Sequence, residues 1–266
     1  MTLNNKTILV TRAASQAQTF RTLLEQQGAR VIEMAALEIG PPSRWQPLDQ
    51  AIRELSTFDW LILTSANGVH FFWERLEKLS INPERLQSLK IAVVGKKTAR
   101  VLAKKGVQPT FIPPNFVADS LVETFPEPLS GQKILFPRVE TGGRDVLIEE
   151  FQQQNAQVIA VPAYQSRCPE KADSIAVQAL RSGQIDVITF ASSKTVQCFC
   201  DLLKSYVSSG VNLEEVMATV TIASIGPQTS QACNKLLGKY DIEAKHYTLE
   251  GLTQAISEFC SETEYL

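Results

Sequence analysis

At 266 residues the chain is long enough for two domains of ordinary size, each able to bury its own core. An apolar fraction of 44%, a charged fraction of 20% and a net charge of −2 fit a soluble globular protein and give no global case for nucleic acid. No apolar run reaches the length of a membrane span.

The opening Met1–Val10 passes almost at once into an apolar run and lacks a signal peptide's basic and apolar regions, so a cytoplasmic location is expected. Ile8-Leu9-Val10 reads as a strand ending near Arg12, followed by a helix over Ala17–Gln27 and a second strand at Val31-Ile32. After the Pro-rich piece Gly40-Pro-Pro-Ser come an apolar run to Leu63 and a helix over Asn67–Lys78. Ile91-Ala-Val-Val and a helix over Lys97–Lys105 follow, with Gly106 placed as a C-terminal cap. Further helices are expected at Asp119–Phe125, Arg144–Gln154, Ser193–Lys204, Gln228–Leu237 and Leu252–Cys260, the fourth stopping at Gly238. Between them lie apolar runs at Ile134, Val158, Ile185 and Ile222, and a second Pro-containing break, Cys168-Pro-Glu.

Runs so uniformly apolar suit strands covered on both faces, and their alternation with helices predicts an α/β protein built on doubly wound open sheets. The chain also repeats itself. Residues 7–39 match 133–166, about 127 residues apart; Phe58-Asp-Trp-Leu-Ile-Leu-Thr-Ser matches Ile185-Asp-Val-Ile-Thr-Phe-Ala-Ser, and Ile91-Ala-Val-Val-Gly matches Ile222-Ala-Ser-Ile-Gly. Three alignments in the same order favour two similar halves over coincidence.

Four strand-to-helix turns hold the candidate chemistry: Thr64-Ser-Ala-Asn-Gly, Val94-Gly-Lys-Lys-Thr, Ala191-Ser-Ser-Lys-Thr and Ile225-Gly-Pro-Gln-Thr. In an open α/β sheet such turns gather at the carboxyl edge, where free N–H groups and the helix dipole favour carboxylate or phosphate. Small and hydroxyl residues there are also ordinary N-caps. With Arg12, Arg138, Arg144, Lys96, Lys97 and Lys194 nearby, the set points to a polyanionic ligand. Neither GxxxxGK[ST] nor GxGxxG occurs. His70 and His246 are far apart in sequence and read as surface or packing residues. The five cysteines read as buried free thiols in a reducing cytosol, with Cys198-Phe-Cys200 packed in a helix. Tyr164, beside the second Pro-containing break, carries a phenol that could donate a proton at neutral pH or simply pack.

The ordered series Leu9-Val-Thr-Arg, Leu63-Thr-Ser-Ala-Asn-Gly, Val94-Gly-Lys-Lys-Thr-Ala, Leu135-Phe-Pro-Arg, Val161-Pro-Ala-Tyr-Gln, Phe190-Ala-Ser-Ser and Ile225-Gly-Pro-Gln-Thr resembles bacterial uroporphyrinogen-III synthase. The resemblance covers nearly the whole chain, and its specificity lies in the order of the motifs. It implies two flavodoxin-like, doubly wound parallel-sheet domains joined by a two-stranded β-ladder linker, with the active site in the cleft between them. Residues 1–37 and 168–266 would form one discontinuous domain and 53–160 the other, with 38–52 and 161–167 as linkers. The family cyclises hydroxymethylbilane, a linear tetrapyrrole with eight carboxylates, losing water and inverting ring D, without metal or organic cofactor. Its acid, a ladder-strand tyrosine, falls on Tyr164. Its substrate-contacting positions fall on Thr64, Ser65, Thr98, Ser192, Ser193 and Thr229; Asn67 stands where some members have a base, and Lys97 adds charge. Arg12, Arg138 and Lys194 complete the expected substrate-binding set. A monomer is expected, touching the preceding pathway enzyme transiently, with no nucleic-acid or membrane partner. A two-domain module that senses an anion without chemistry is the competing reading.

Overall fold

The computed structural model describes residues 2–115, 118–141, 145–204, 206 and 213–263. Arg144 and the two glycines before it lie outside these residues. Contacts divide the chain into two compact units, Met1–Glu38 with Arg167–Leu266, and Ile39–Ser166.

Strand β1 (Thr7–Val10), helix α1 (Ala14–Gln26) and strand β2 (Arg30–Glu33) open the first unit. β3 (Glu38–Gly40) leads into the second unit, which continues with α2 (Gln46–Arg53), β4 (Trp60–Leu63), α3 (Ala66–Lys78), β5 (Lys90–Val93) and α4 (Lys96–Ala103). There follow α5 (Ala118–Glu123), β6 (Lys133–Val139), α6 (Val146–Gln153) and the long β7 (Gln157–Arg167), whose end returns the chain to the first unit. That unit is completed by α7 (Ser174–Arg181), β8 (Val187–Phe190), α8 (Ser193–Lys204), α9 (Leu213–Thr219), β9 (Thr221–Ser224), α10 (Pro227–Leu237), β10 (Ile242–Glu243) and α11 (Leu249–Thr263).

The first sheet has the order β10-β9-β8-β1-β2 and the second β3-β7-β6-β4-β5. In the first, β1 runs parallel to β2 and β8, and β9 to β8 and β10. In the second, β6 runs parallel to β7 and β4, and β4 to β5. The internal repeat is visible in this topology: β7-β6-β4-β5 reproduces β2-β1-β8-β9 strand for strand. Even the register anchors recur. Asp186 accepts from the Thr7 amide at 2.7 Å, and Asp59 accepts from the equivalent Lys133 amide at 2.8 Å.

Both sheets bury both faces, as parallel sheets do. Alternate strand residues point to opposite sides. Leu9, Ile188 and Phe190 therefore join a core under α7, α8 and α10, while Ile8, Val10 and Val187 join one under α1 and α11. In the second unit Leu61, Leu63 and Leu135 pack under α2 and α3, and Trp60, Ile62, Ile134 and Phe136 pack under α5 and α6.

Three helices went unread in the sequence. α2 overlaps the end of the stretch expected to be a linker (38–52): Leu48, Ala51 and Ile52 enter the core and Asp49 pairs with the Arg75 fork of α3. Pro47 lies in the first helical turn, which tolerates proline. α7 starts from Asp173, whose carboxylate accepts from the Ile175 and Ala176 amides at 2.9 and 3.0 Å. The third is α9.

The expectation of five free thiols is corrected. Cys168, one residue beyond β7, is joined to Cys198 of α8 by a disulfide with a Cα–Cα distance of 5.0 Å. Both belong to the apolar cluster under α7 and α8, a proximity that spacing in sequence does not reveal. Cys200, Cys233 and Cys260 are free and buried, and burial pushes the Cys200 thiol up to about 11 and that of Cys233 to about 12.

Candidate active site

The first N–H groups of a helix have no intrahelical partner, so each strand-to-helix turn must supply one or leave them for a ligand. Where β4 meets α3, Thr64 ends the strand side and Ser65 stands in extended conformation as N-cap, its Oγ accepting from the Gly68 amide at 2.9 Å. The same Oγ lies 3.0 Å from the Tyr164 hydroxyl, and either can donate. A Cβ on Gly68 would sit 3.3 Å from that Oγ and 3.9 Å from Tyr164 Cε1, so glycine leaves this contact room.

Tyr164 is held along its length. It pairs with Val139 just past a register shift between Arg138 and Val139, and its carbonyl accepts from the Glu140 amide at 2.8 Å. Its ring stacks on Phe71 of α3, with centroids 5.9 Å apart and planes 11° from parallel. Phenol, serine and helix N-terminus thus form one rigid group, with the half-exposed Asn67 in the first turn of the helix.

At the β5–α4 turn, Gly95 has φ +89°, a conformation that favours glycine. Lys97 is exposed in the first turn and Thr98 is 4% exposed. Arg138, at the end of β6, is already engaged by Asp145 at 2.6 Å.

In the first unit Arg12, the counterpart of Arg138, is half-buried and bonds only the carbonyl and side-chain oxygens of Gln16 among the described residues. Burial lowers its pKa below the ordinary arginine value, and no carboxylate beside it offsets that. This guanidinium is therefore suited to receive an external anion. Ser192 Oγ accepts from the Thr195 amide at 3.2 Å and pairs with Thr195 Oγ1 at 2.7 Å. Ser193 Oγ donates to the Gln228 carbonyl at 2.8 Å, tying the β8–α8 turn to the β9–α10 turn. Lys194 is exposed in the first turn of α8. Beneath the β9–α10 turn, Ser224 Oγ lies 2.5 Å from Ser230 Oγ, which in turn donates to the Glu243 carboxylate. This buried chain braces the start of α10.

The candidates thus gather in two places. Ser65 touches Tyr164, with Thr64 and Asn67 in the same turn and Thr98 and Lys97 at the neighbouring strand end. Ser192, Ser193 and Thr229 line one hollow of about 520 Å³ in the first unit. Three contributors escaped the sequence reading: Phe71, the Ser224–Ser230–Glu243 chain, and Tyr247. Tyr247 lines the same hollow from the β10–α11 turn. The two-residue β10 gave no strand signal; beyond it Thr248 caps α11 by accepting from the Gly251 amide at 3.0 Å.

The family model described as uroporphyrinogen-III synthase HemD matches residues 18–254. The chain belongs to the uroporphyrinogen-III synthase family. It is 51% identical to uroporphyrinogen-III synthase of Synechococcus elongatus over 98% of each chain. With the Chlorobaculum parvum uroporphyrinogen-III synthase it shares 30% identity over 95% of this chain and 98% of that protein. Among solved structures, uroporphyrinogen-III synthetase of Helicobacter pylori aligns with a TM-score of 0.58 at 15% identity, covering 96% of this chain and 99% of that one. A mutant Thermus thermophilus uroporphyrinogen III synthase aligns with a TM-score of 0.57 at 16% identity, covering 97% and 99%. These two likenesses carry the mixed α/β fold with parallel sheets. As a uroporphyrinogen-III synthase the chain is a cyclising lyase of porphyrin biosynthesis, and the anion-sensing alternative finds no support. Among the described residues no helix is long and apolar enough to cross a membrane.

Proposed function

We propose that the chain cyclises hydroxymethylbilane with Tyr164 as the proton donor, a reading carried by the 3.0 Å contact between Tyr164 and Ser65 at the N-terminus of α3. The phenol proton passes to the terminal hydroxyl of the substrate, the carbon–oxygen bond breaks, and water leaves as the pyrrole nitrogen supplies electrons to form an azafulvene cation. While the phenol oxygen gains charge, the Ser65 hydroxyl turns to donate to it, the stabilisation a fixed donor gives a developing anion. The substituted carbon of ring D then attacks the cationic methylene to give a spiro intermediate. Cleavage of the old ring D bond and reclosure at the free α-carbon on the other side of the ring nitrogen invert the ring. The proton finally lost from carbon balances the one donated.

Tyr164 is the catalytic residue. Arg12, Thr64, Ser65, Asn67, Lys97, Thr98, Arg138, Ser192, Ser193, Lys194 and Thr229 bind the eight carboxylates. The linear substrate can also close unaided to the symmetric isomer, so positioning supplies most of the selectivity. We read the two units as flavodoxin-like domains joined by the neighbouring strands β3 and β7, with residues 1–37 plus 168–266 in one and 53–160 in the other. The working form is a cytoplasmic monomer that meets the preceding pathway enzyme only in passing; a dimer on size-exclusion chromatography would overturn the oligomeric part.

The activity is tested by generating hydroxymethylbilane in situ and separating the oxidised uroporphyrin isomers. Isomer III supports the assignment, and isomer I alone from folded protein removes it.

A further inference from the structure

The first unit's hollow has a wall that the turn residues do not provide. Tyr247 is 66% exposed, and yet its ring is not loose. It lies flat against the backbone of Gly226: a Cβ at that glycine would stand 2.9 Å from Tyr247 Cδ1, 3.2 Å from Cε1 and 3.3 Å from Cγ. Gly226 is extended, with φ 164°, so glycine is needed here for the close approach and not for its backbone angle. The hollow is also bounded by Ala191, Ser192 and Ser193 at one helix start and by Pro227 and Thr229 at another. Thr229 is 4% exposed and lines the hollow.

We infer that Tyr247 is a positioning residue for the reaction, the aromatic face on which one pyrrole ring of the tetrapyrrole stacks while its carboxylate arms reach the starts of α8 and α10. The inference rests on the synthase reading above. Pyrroles are planar and apolar on their faces and carry charge only at their edges. A flat phenol beside the hydroxyl-bearing starts of two helices matches that division. Offset stacking holds the ring face, and the helix starts take the arms. At about 520 Å³ the hollow falls within the range of small-molecule sites and accommodates part of the substrate, not the whole chain of four rings. Holding one ring flat restricts rotation about the adjoining methylene, which is the freedom that must be limited if ring D is to invert before direct closure.

The test compares wild type with Tyr247→Ala, Tyr247→Phe, Gly226→Ala and the Gly226→Ala/Tyr247→Ala pair in the coupled isomer assay, with thermal melts as a folding control. Tyr247→Ala raises KM about five- to ten-fold, the range stacking energies imply, and increases the share of isomer I. Tyr247→Phe keeps the ring and restores both readouts. Gly226→Ala drives the ring aside and copies Tyr247→Ala. In the pair the clash is gone, so it is no worse than either single change. Unchanged KM and isomer ratio in a folded Tyr247→Ala protein would overturn the inference, as would Tyr247→Phe behaving like Tyr247→Ala. Absence of isomer III from wild type would instead sink the synthase reading itself, so the two failures are told apart.

Discussion

In the proposed reaction Tyr164 and Arg12 are the residues on which most depends, and each is defined by its neighbours. Phe71 stacks on the Tyr164 ring and Ser65 meets its hydroxyl, so removing that hydroxyl leaves the packing in place. Tyr164→Phe should therefore lower kcat, about ten- to a hundred-fold for loss of one positioned acid, while the melting temperature stays put. Wild-type turnover in that variant would withdraw the acid role. Arg12 answers to no carboxylate among the described residues, whereas Arg138 is paired with Asp145. Arg12→Gln should raise KM about ten-fold, the scale of one charge-assisted hydrogen bond, and Arg138→Gln should do so less. An equal effect of both changes would contradict the asymmetry. Titration also acts at this scale. Lys90, and then Trp60, hydrogen-bond Glu127 and hold its carboxyl below the ordinary glutamate value. A depressed folded value stabilises the protein above the unfolded pKa and is lost as pH falls through the folded one. Glu127→Gln should accordingly melt earlier than wild type at neutral pH, and the two curves should converge in strong acid.

Among the elements, the helix starts combine stability with the proposed binding. Asp173 caps α7 with two amide bonds and lies outside the proposed machinery, so Asp173→Ala isolates capping alone: about 1 kcal/mol lost, with kinetics unchanged. Ser65→Ala at α3 should lose a similar amount and turnover as well, because its oxygen serves two partners. Most elements were legible because uniform apolar runs and helical spacing are local signals. So were the four turns, since hydroxyl residues and glycines follow the runs directly. Elements with weak local signals escaped: α2 behind Pro47, and the two-residue β10 with the Tyr247 turn beyond it. The Ser65–Tyr164 contact joins residues 99 apart, and nothing local announces that distance will close.

Across the whole molecule, the disulfide is the long-range tie that the sequence concealed. It closes a loop of 30 residues and ties the segment after β7 to α8, the helix that presents Ser193. Replacing both Cys168 and Cys198 by serine should lower stability by about 3 kcal/mol, read by denaturant unfolding. Alkylation distinguishes the thiols. Native protein should resist labelling, since Cys200 and Cys233 are buried with raised pKa values and Cys260 is buried. Unfolding without reductant should expose three thiols, and with reductant all five. A further consequence follows from the position of β1. It lies inside its sheet between β2 and β8, and β8 begins about 180 residues later at Val187. At the pace of a ribosome, roughly 5–20 residues per second, the β1–α1–β2 segment waits about 10–35 s after emerging before its neighbour is made. Residues 39–166, contiguous in sequence, can fold during that interval. Until β8 is made, the apolar residues Ile8, Leu9 and Val10 of β1 lack the cover of one neighbour in the sheet.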